Sequence, residues 1–284
     1  LKHQNGKTGD LSAGAPQPMY SHGLATIALC EAYGLTKDEA VGSAATKAVR
    51  FIEQAQNEVH GGWRYVARAH DGDTSVLGWQ VMALKSAQMA GIGVNSMCFE
   101  GARKWLASCS QGKEHGLYVY VPYREVSPSM TAVGMLCQQY MGIARDDPSM
   151  IEGRQYLLSN LPDANIDRDI YYWYYATLAM HNFMGPDWDR WNRQMRRTLI
   201  STQCKGGCAE GSWDPERPAV DKWSQAGRLY VTAFSTLTLE VYYRYLPLFK
   251  INQGPPTPPA PDKMGLVIGL PAAATPEKRV SRTP

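Results

Sequence analysis

The chain has 284 residues, 44% of them hydrophobic and 19% charged, with a net charge of +3. So small an excess, with no basic cluster interleaved with aromatics, excludes a nucleic-acid surface, and no apolar run reaches the length of a membrane span. Six cysteines in a chain this long exclude a disulfide scaffold, while 16 Tyr and 8 Trp against 5 Phe point to aromatic seams or half-wet cavity walls.

The opening LKHQNGKTGDLSAG reads as the tail of an outer helix followed by its glycine loop, so the chain is expected to begin inside a repeat. An apolar helix then spans 21–35 (SHGLATIALCEAYGL), with Gly34 as its terminal glycine. Similar segments recur at 76–92, 127–143 and 169–185, ending at Gly91, Gly142 and Gly185, and a fifth at 230–246 stops at Pro247. Terminal glycines of this kind suit the left-handed residue that ends a helix. Each of the first four segments is followed by a more polar helical pattern, at 37–56, 95–110, 148–160 and 187–203. There the apolar residues fall at helical spacing with charges between them. Helices that are apolar all round belong inside, and amphipathic ones belong outside.

Glycine-aromatic turns follow the outer helices: Gly61-Gly62-Trp63, Gly116-Leu117-Tyr118 and Gly211-Ser212-Trp213. Gly62 lies eleven residues before Asp73, and Gly116 eleven before Ser127, which marks a true internal repeat. The repeat predicts one all-α domain over 1–251, followed by a Pro-rich extended tail over 252–284. Irregular spacing and buried inner helices favour closure into a ring over an open solenoid.

Inner and outer helices joined by such turns resemble the prenyltransferase/squalene-oxidase repeat proteins, which share an α/α-toroid with squalene-hopene cyclases and protein prenyltransferases. The motif residues are Gln56, Gly62 and Trp63, then Gln203 and Trp213, with Tyr118 replacing Trp in the intervening repeat. The resemblance implies a toroid of helical hairpins, incomplete at its N-terminal end, in which the aromatic packs on the Gln and ties one hairpin to the next.

Cyclases of this kind begin an inner helix with Asp-x-Asp-Asp-Thr, whose central acid protonates the substrate. Here the run is Asp71-Gly72-Asp73-Thr74, and alignment on Thr74 puts Gly72 at the central position. Asp73 and Asp71 are the catalytic candidates, against the plainer expectation that Asp73 or Thr74 caps the helix, as Ser127, Ser129 and Asp169 do in other repeats. Tyr171, Tyr174 and Tyr175 share one helix face. With Trp79, His22 and His181 they are the candidate cavity lining, suited to an apolar or prenyl ligand through their π faces. The zinc ligands of prenyltransferases have no match, and no metal or cofactor is expected. Asp146 and Asp147 open an outer helix at Pro148. Cys30 and Cys137 suit the core, whereas Cys204 and Cys208 fit a disulfide, half a metal site or two free thiols.

The tail carries an apolar island, Met264, Leu266, Val267, Ile268 and Leu270, expected to meet a protein partner. Three functions are consistent with these residues: a non-catalytic binding or assembly toroid, a terpenoid-cyclase-type or prenyl-handling enzyme, and a polysaccharide lyase or hydrolase on the same ring. Localisation and oligomeric state are not encoded in any motif.

Overall fold

The structure is a computed structural model that describes residues 1–241. The Pro-rich tail, its island from Met264 to Leu270 and the end of the fifth repeat lie outside the described residues.

The described chain is mostly helical. Five helices form an inner layer: α1 (Pro18–Thr36), α3 (Thr74–Ala90), α5 (Pro128–Tyr140), α7 (Ile170–His181) and α9 (Gly227–Leu239). Four outer helices alternate with them: α2 (Glu39–Ala55), α4 (Ser96–Cys109), α6 (Pro148–Ser159) and α8 (Gly185–Thr202). Each inner helix packs on the next, and each outer helix on the inner one it follows. A two-residue hairpin, β1 (Ser110–Gln111) with β2 (Leu117–Tyr118), is the small departure from the all-α expectation.

Burial separates the two layers. In α3, 14 of 17 residues are buried, and in α7, 11 of 12, so these helices are enclosed on every side. α2 instead buries one stripe, including Ala45, Ala48, Val49 and Ile52, and turns Arg50 outward. Polar caps fix where helices start. Asp38, Asp73, Asn95, Ser127, Asp147 and Asp169 each accept a backbone N–H of the first turn, at Val41, Val76, Met97, Met130, Ser149 and Tyr172.

Two terminal glycines behave otherwise than expected. α1 continues through Gly34 and ends with Lys37 in the left-handed conformation, φ 56°. α7 stops at His181, and Gly185 opens α8 instead. The sequence places both glycines near a helix boundary, but on the wrong side of it. The first 17 residues form turns, not the end of an outer helix.

The glycine turns are clasped by glutamine side chains. Gln56 Nε2 donates to Gly61 O (2.7 Å) and to Cys98 O at the start of α4 (2.9 Å). Its two protons thus tie its own loop to the next outer helix. Gln4 repeats this, donating to Gly9 O (3.1 Å) and to Ala44 O in α2 (2.8 Å). Gly9 and Gly61 both have positive φ and both donate to the asparagine after the clasp Gln, Asn5 and Asn57. QNGKTG and QNEVHG are therefore one motif, the first of them without the aromatic. At Gly61 a side chain is excluded twice over, by φ +78° and by Gly101 O, which an added Cβ would meet at 2.1 Å. Gln203 keeps half of the clasp, donating to Gly211 O across a longer loop (2.9 Å).

Trp63 Nε1 donates to Ile52 O and Trp213 Nε1 to Leu199 O, each a carbonyl of the preceding outer helix. A buried indole N–H needs an acceptor, and the helix end supplies one. Tyr118 is buried beneath Gly134, where an added Cβ would lie 2.3 Å from its ring.

Candidate functional site

The inner helices point the same way. At one end Tyr20 of α1 bonds Ser75 of α3, and Ser129 of α5 bonds Asp169 before α7. At the other end Lys37 reaches Ala90 O, and Gln139 reaches Ala179 O. The polar clusters around Asp73 and Asp169 therefore lie where the inner helices begin.

Asp73 is fully buried at the start of α3. Its Oδ1 accepts from Val76 N (2.7 Å) and Ser75 Oγ (2.6 Å), and its Oδ2 accepts from the Tyr120 hydroxyl (3.1 Å). Ser75 Oγ is bonded in turn by the Tyr20 hydroxyl at 2.6 Å, and Tyr120 by the Tyr65 hydroxyl at 2.5 Å. Two hydroxyl chains thus end on one carboxylate. Arg64 lies over the Tyr65 and Tyr120 rings, 4.7 and 5.5 Å from their centroids. Its guanidinium stands 3.7 Å from Asp73 and 3.5 Å from Asp71. Burial raises the Asp73 carboxyl above its ordinary value, against the lowering pull of Ser75, Val76, Tyr120 and Arg64. Burial likewise raises the Tyr20 and Tyr120 phenols, so both remain protonated donors at neutral pH.

Asp169 repeats the pattern at α7. It accepts from Tyr172 N (2.9 Å), Ser129 Oγ (2.8 Å) and the indole of Trp223 (3.2 Å), with Lys222 at 3.4 Å. Trp223 and Lys222 arrive on the segment before α9. That segment is held by Arg168, a buried guanidinium that donates to Asp214 O and Arg217 O and pairs with buried Asp221 at 3.5 Å. Asp221 itself accepts Ile170 N and Trp223 N.

The two catalytic candidates occupy different settings. Asp73 is the cap of α3 and the sink of the hydroxyl chains, while the Asp71 side chain is 67% exposed and meets only the edge of Arg64. Among the proposed lining residues, Trp79, Tyr171, Tyr174 and Tyr175 do come together. The Trp79 ring stacks on Tyr174 at 6.0 Å and meets Tyr175 edge-on at 5.2 Å and Phe234 at 6.1 Å, and Tyr171 lies 4.8 Å from Tyr175. The two histidines do not join them. His22 accepts Leu11 N and bonds Ala48 O between α1 and α2, and His181 packs against Trp188 of α8. Both face the outer layer.

Sequence reasoning missed Tyr20, Arg64, Tyr65, Tyr120, Arg168 and Trp223. A signal existed for two of them: in GWRYV and LYVYV, Tyr65 and Tyr120 each stand two places after the motif aromatic. Nothing local marks Arg168 or Trp223, whose partners lie about fifty positions away. Asp147 caps α6, and Cys204 and Cys208 are free thiols, with the Arg228 guanidinium 3.5 Å from Cys204 Sγ. Among the described residues no trio of His, Cys, Asp or Glu is grouped to hold a metal ion, and no helix is long and apolar enough to cross a membrane. No protein-family model matches the chain, and no curated protein matches it in sequence.

Proposed function

We propose that the chain is an α/α-toroid repeat domain of the prenyltransferase/squalene-cyclase-like kind, working as a binding or assembly module and not as a catalyst. Curvature of the inner layer supports the toroid: Trp79 of α3 reaches past α5 to Tyr174 of α7 and Phe234 of α9. The observation that carries the functional reading is the state of those aromatics. Trp79, Tyr171, Tyr174 and Tyr175, which would wall a polyene cavity, are at most 4% exposed and spend their faces on one another. Asp73 supports the same reading, since its oxygens are taken up by the first turn of α3, Ser75 and Tyr120.

The test is turnover and binding with squalene and farnesyl diphosphate, on wild type and on Asp73→Asn, with melting temperatures recorded beside them. The expected outcome is no product and no stabilisation by either compound. Product formation by wild type that disappears in a fully stable Asp73→Asn protein would overturn the reading in favour of acid catalysis.

A further inference from the structure

We propose that the outward face of α8 docks an acidic helix of a partner protein. The inference rests on the binding-module reading and supplies its partner class.

Four arginines, Arg190, Arg193, Arg196 and Arg197, stand exposed along α8. Helical spacing puts them on the side opposite the buried Trp188, Trp191, Met195 and Leu199. Among the described residues none of the four takes part in a hydrogen bond, an ion pair or a ring contact. The earlier outer helices are built otherwise. Arg50 of α2 pairs with Glu53 at 2.7 Å, Arg103 of α4 with Glu100 at 3.6 Å, and Arg154 of α6 with Asp187 at 3.2 Å.

The sequence of α8 does not relieve this charge. Asp189 is exposed four places before Arg193, the spacing of a helical ion pair, yet no pair forms. Arg193 also has like charges three and four places on, at Arg196 and Arg197, an arrangement that disfavours a helix left alone in water. The face therefore carries four cations against one acid, and none of the five is paired among the described residues.

The kind of anion follows from what stands among these charges. α8 has no lysine, and guanidinium forks match carboxylates two bonds at a time. Arginine is enriched and lysine depleted where proteins meet, around apolar contacts. Ile200, 49% exposed, supplies such a contact one turn beyond Arg196 and Arg197. A nucleic acid is disfavoured: Trp188 and Trp191 are buried, so neither can stack on a base, and a net charge of +3 is slight for a phosphate polymer. A lipid surface is disfavoured too, because the apolar side of α8, which would have to enter it, is already packed in the protein. Arg190 and Arg197 are separated by two helical turns, about 10 Å along the axis. Carboxylates spaced by helical turns on another helix span the same length, so an acidic helix laid along α8 can face the arginines in turn.

The experiment titrates the full chain, at physiological ionic strength, with a fluorescein-labelled helical peptide bearing glutamates along one face beside a leucine. A peptide of the same composition with its glutamates dispersed round the helix, phosphatidylserine vesicles and a DNA duplex are the comparisons. The expected result is saturable binding of the first peptide, about fivefold or more tighter than the dispersed one, and weakened about tenfold or more by Arg193→Glu with Arg197→Glu at unchanged melting temperature. Should that double variant fail to fold, Arg193→Gln with Arg197→Gln decides in its place. No binding, comparable binding of the dispersed peptide, binding that survives the substitutions, or tighter binding of vesicles or duplex would each overturn the proposal. Squalene and farnesyl diphosphate are assayed on the same preparation. Turnover of either would sink the binding-module reading and leave the arginine face standing, whereas failure of the peptide without turnover would sink this face alone.

Discussion

Asp73 and Asp169 begin two inner helices with nearly the same set of partners: a backbone N–H, a serine hydroxyl, an aromatic O–H or N–H, and a cation 3.4–3.7 Å away. They differ in what lies behind those partners. The partners of Asp73 lead to further hydroxyls, Tyr20 and Tyr65, and to an Arg64 clamped over two rings. Those of Asp169 are surface groups, Trp223 at 42% exposure and a Lys222 side chain at 56%. One repeat thus knits its cap into the protein, and the other uses the same cap to fasten an exposed rim. The cap is a module, and the shell around it sets its role.

The largest expected effect lies on the rim side. Arg168→Met leaves Asp221 buried without its cation and three carbonyls without their donor, and is expected to cost about 3–5 kcal/mol in urea denaturation. A cost under about 1 kcal/mol, the range of a surface pair, would mean that backbone bonds alone hold the rim. The caps themselves come next. Asp73→Ala removes a helix cap and strands Ser75 and Tyr120, an expected loss of about 2 kcal/mol, against about 1 kcal/mol for Asp169→Ala, whose Lys222 and Trp223 can turn to water. Equal losses would break the comparison. The smallest effect is in pH dependence. The folded Asp73 carboxyl is raised above 3.8, so it holds its proton more tightly folded than unfolded. Its contribution is therefore fully present at low pH and is lost as pH rises through the folded value. Relative to Asp73→Asn, wild type should lose stability across that window. A gain there would show that Arg64 outweighs burial.

The alternation of inner and outer helices was legible because it rests on period and on repetition, both properties of the sequence itself. Asp73 and Asp169 were legible as caps for the same reason: a short acceptor before an apolar run has a local role. The Gln4 clasp was not, because an aromatic was made the signature while the working parts are a glutamine, an asparagine and a glycine of positive φ. His22 and His181 were misplaced because helical spacing fixes which residues share a face without saying which neighbour that face meets. Arg168, Asp221 and Trp223 belong together only through an irregular loop, whose path no periodicity describes.

The common direction of the inner helices carries one more consequence. Each helix start bears a partial positive charge that fades within a turn, and here several starts lie side by side instead of alternating with helix ends. Left bare, that arrangement would make an attractive seat for phosphate or any other anion. Asp73 and Asp169 place a fixed negative charge on two of these starts, and Asp221 accepts Ile170 N at the second. The protein thereby supplies its own acceptors for backbone N–H groups that a free anion would otherwise take.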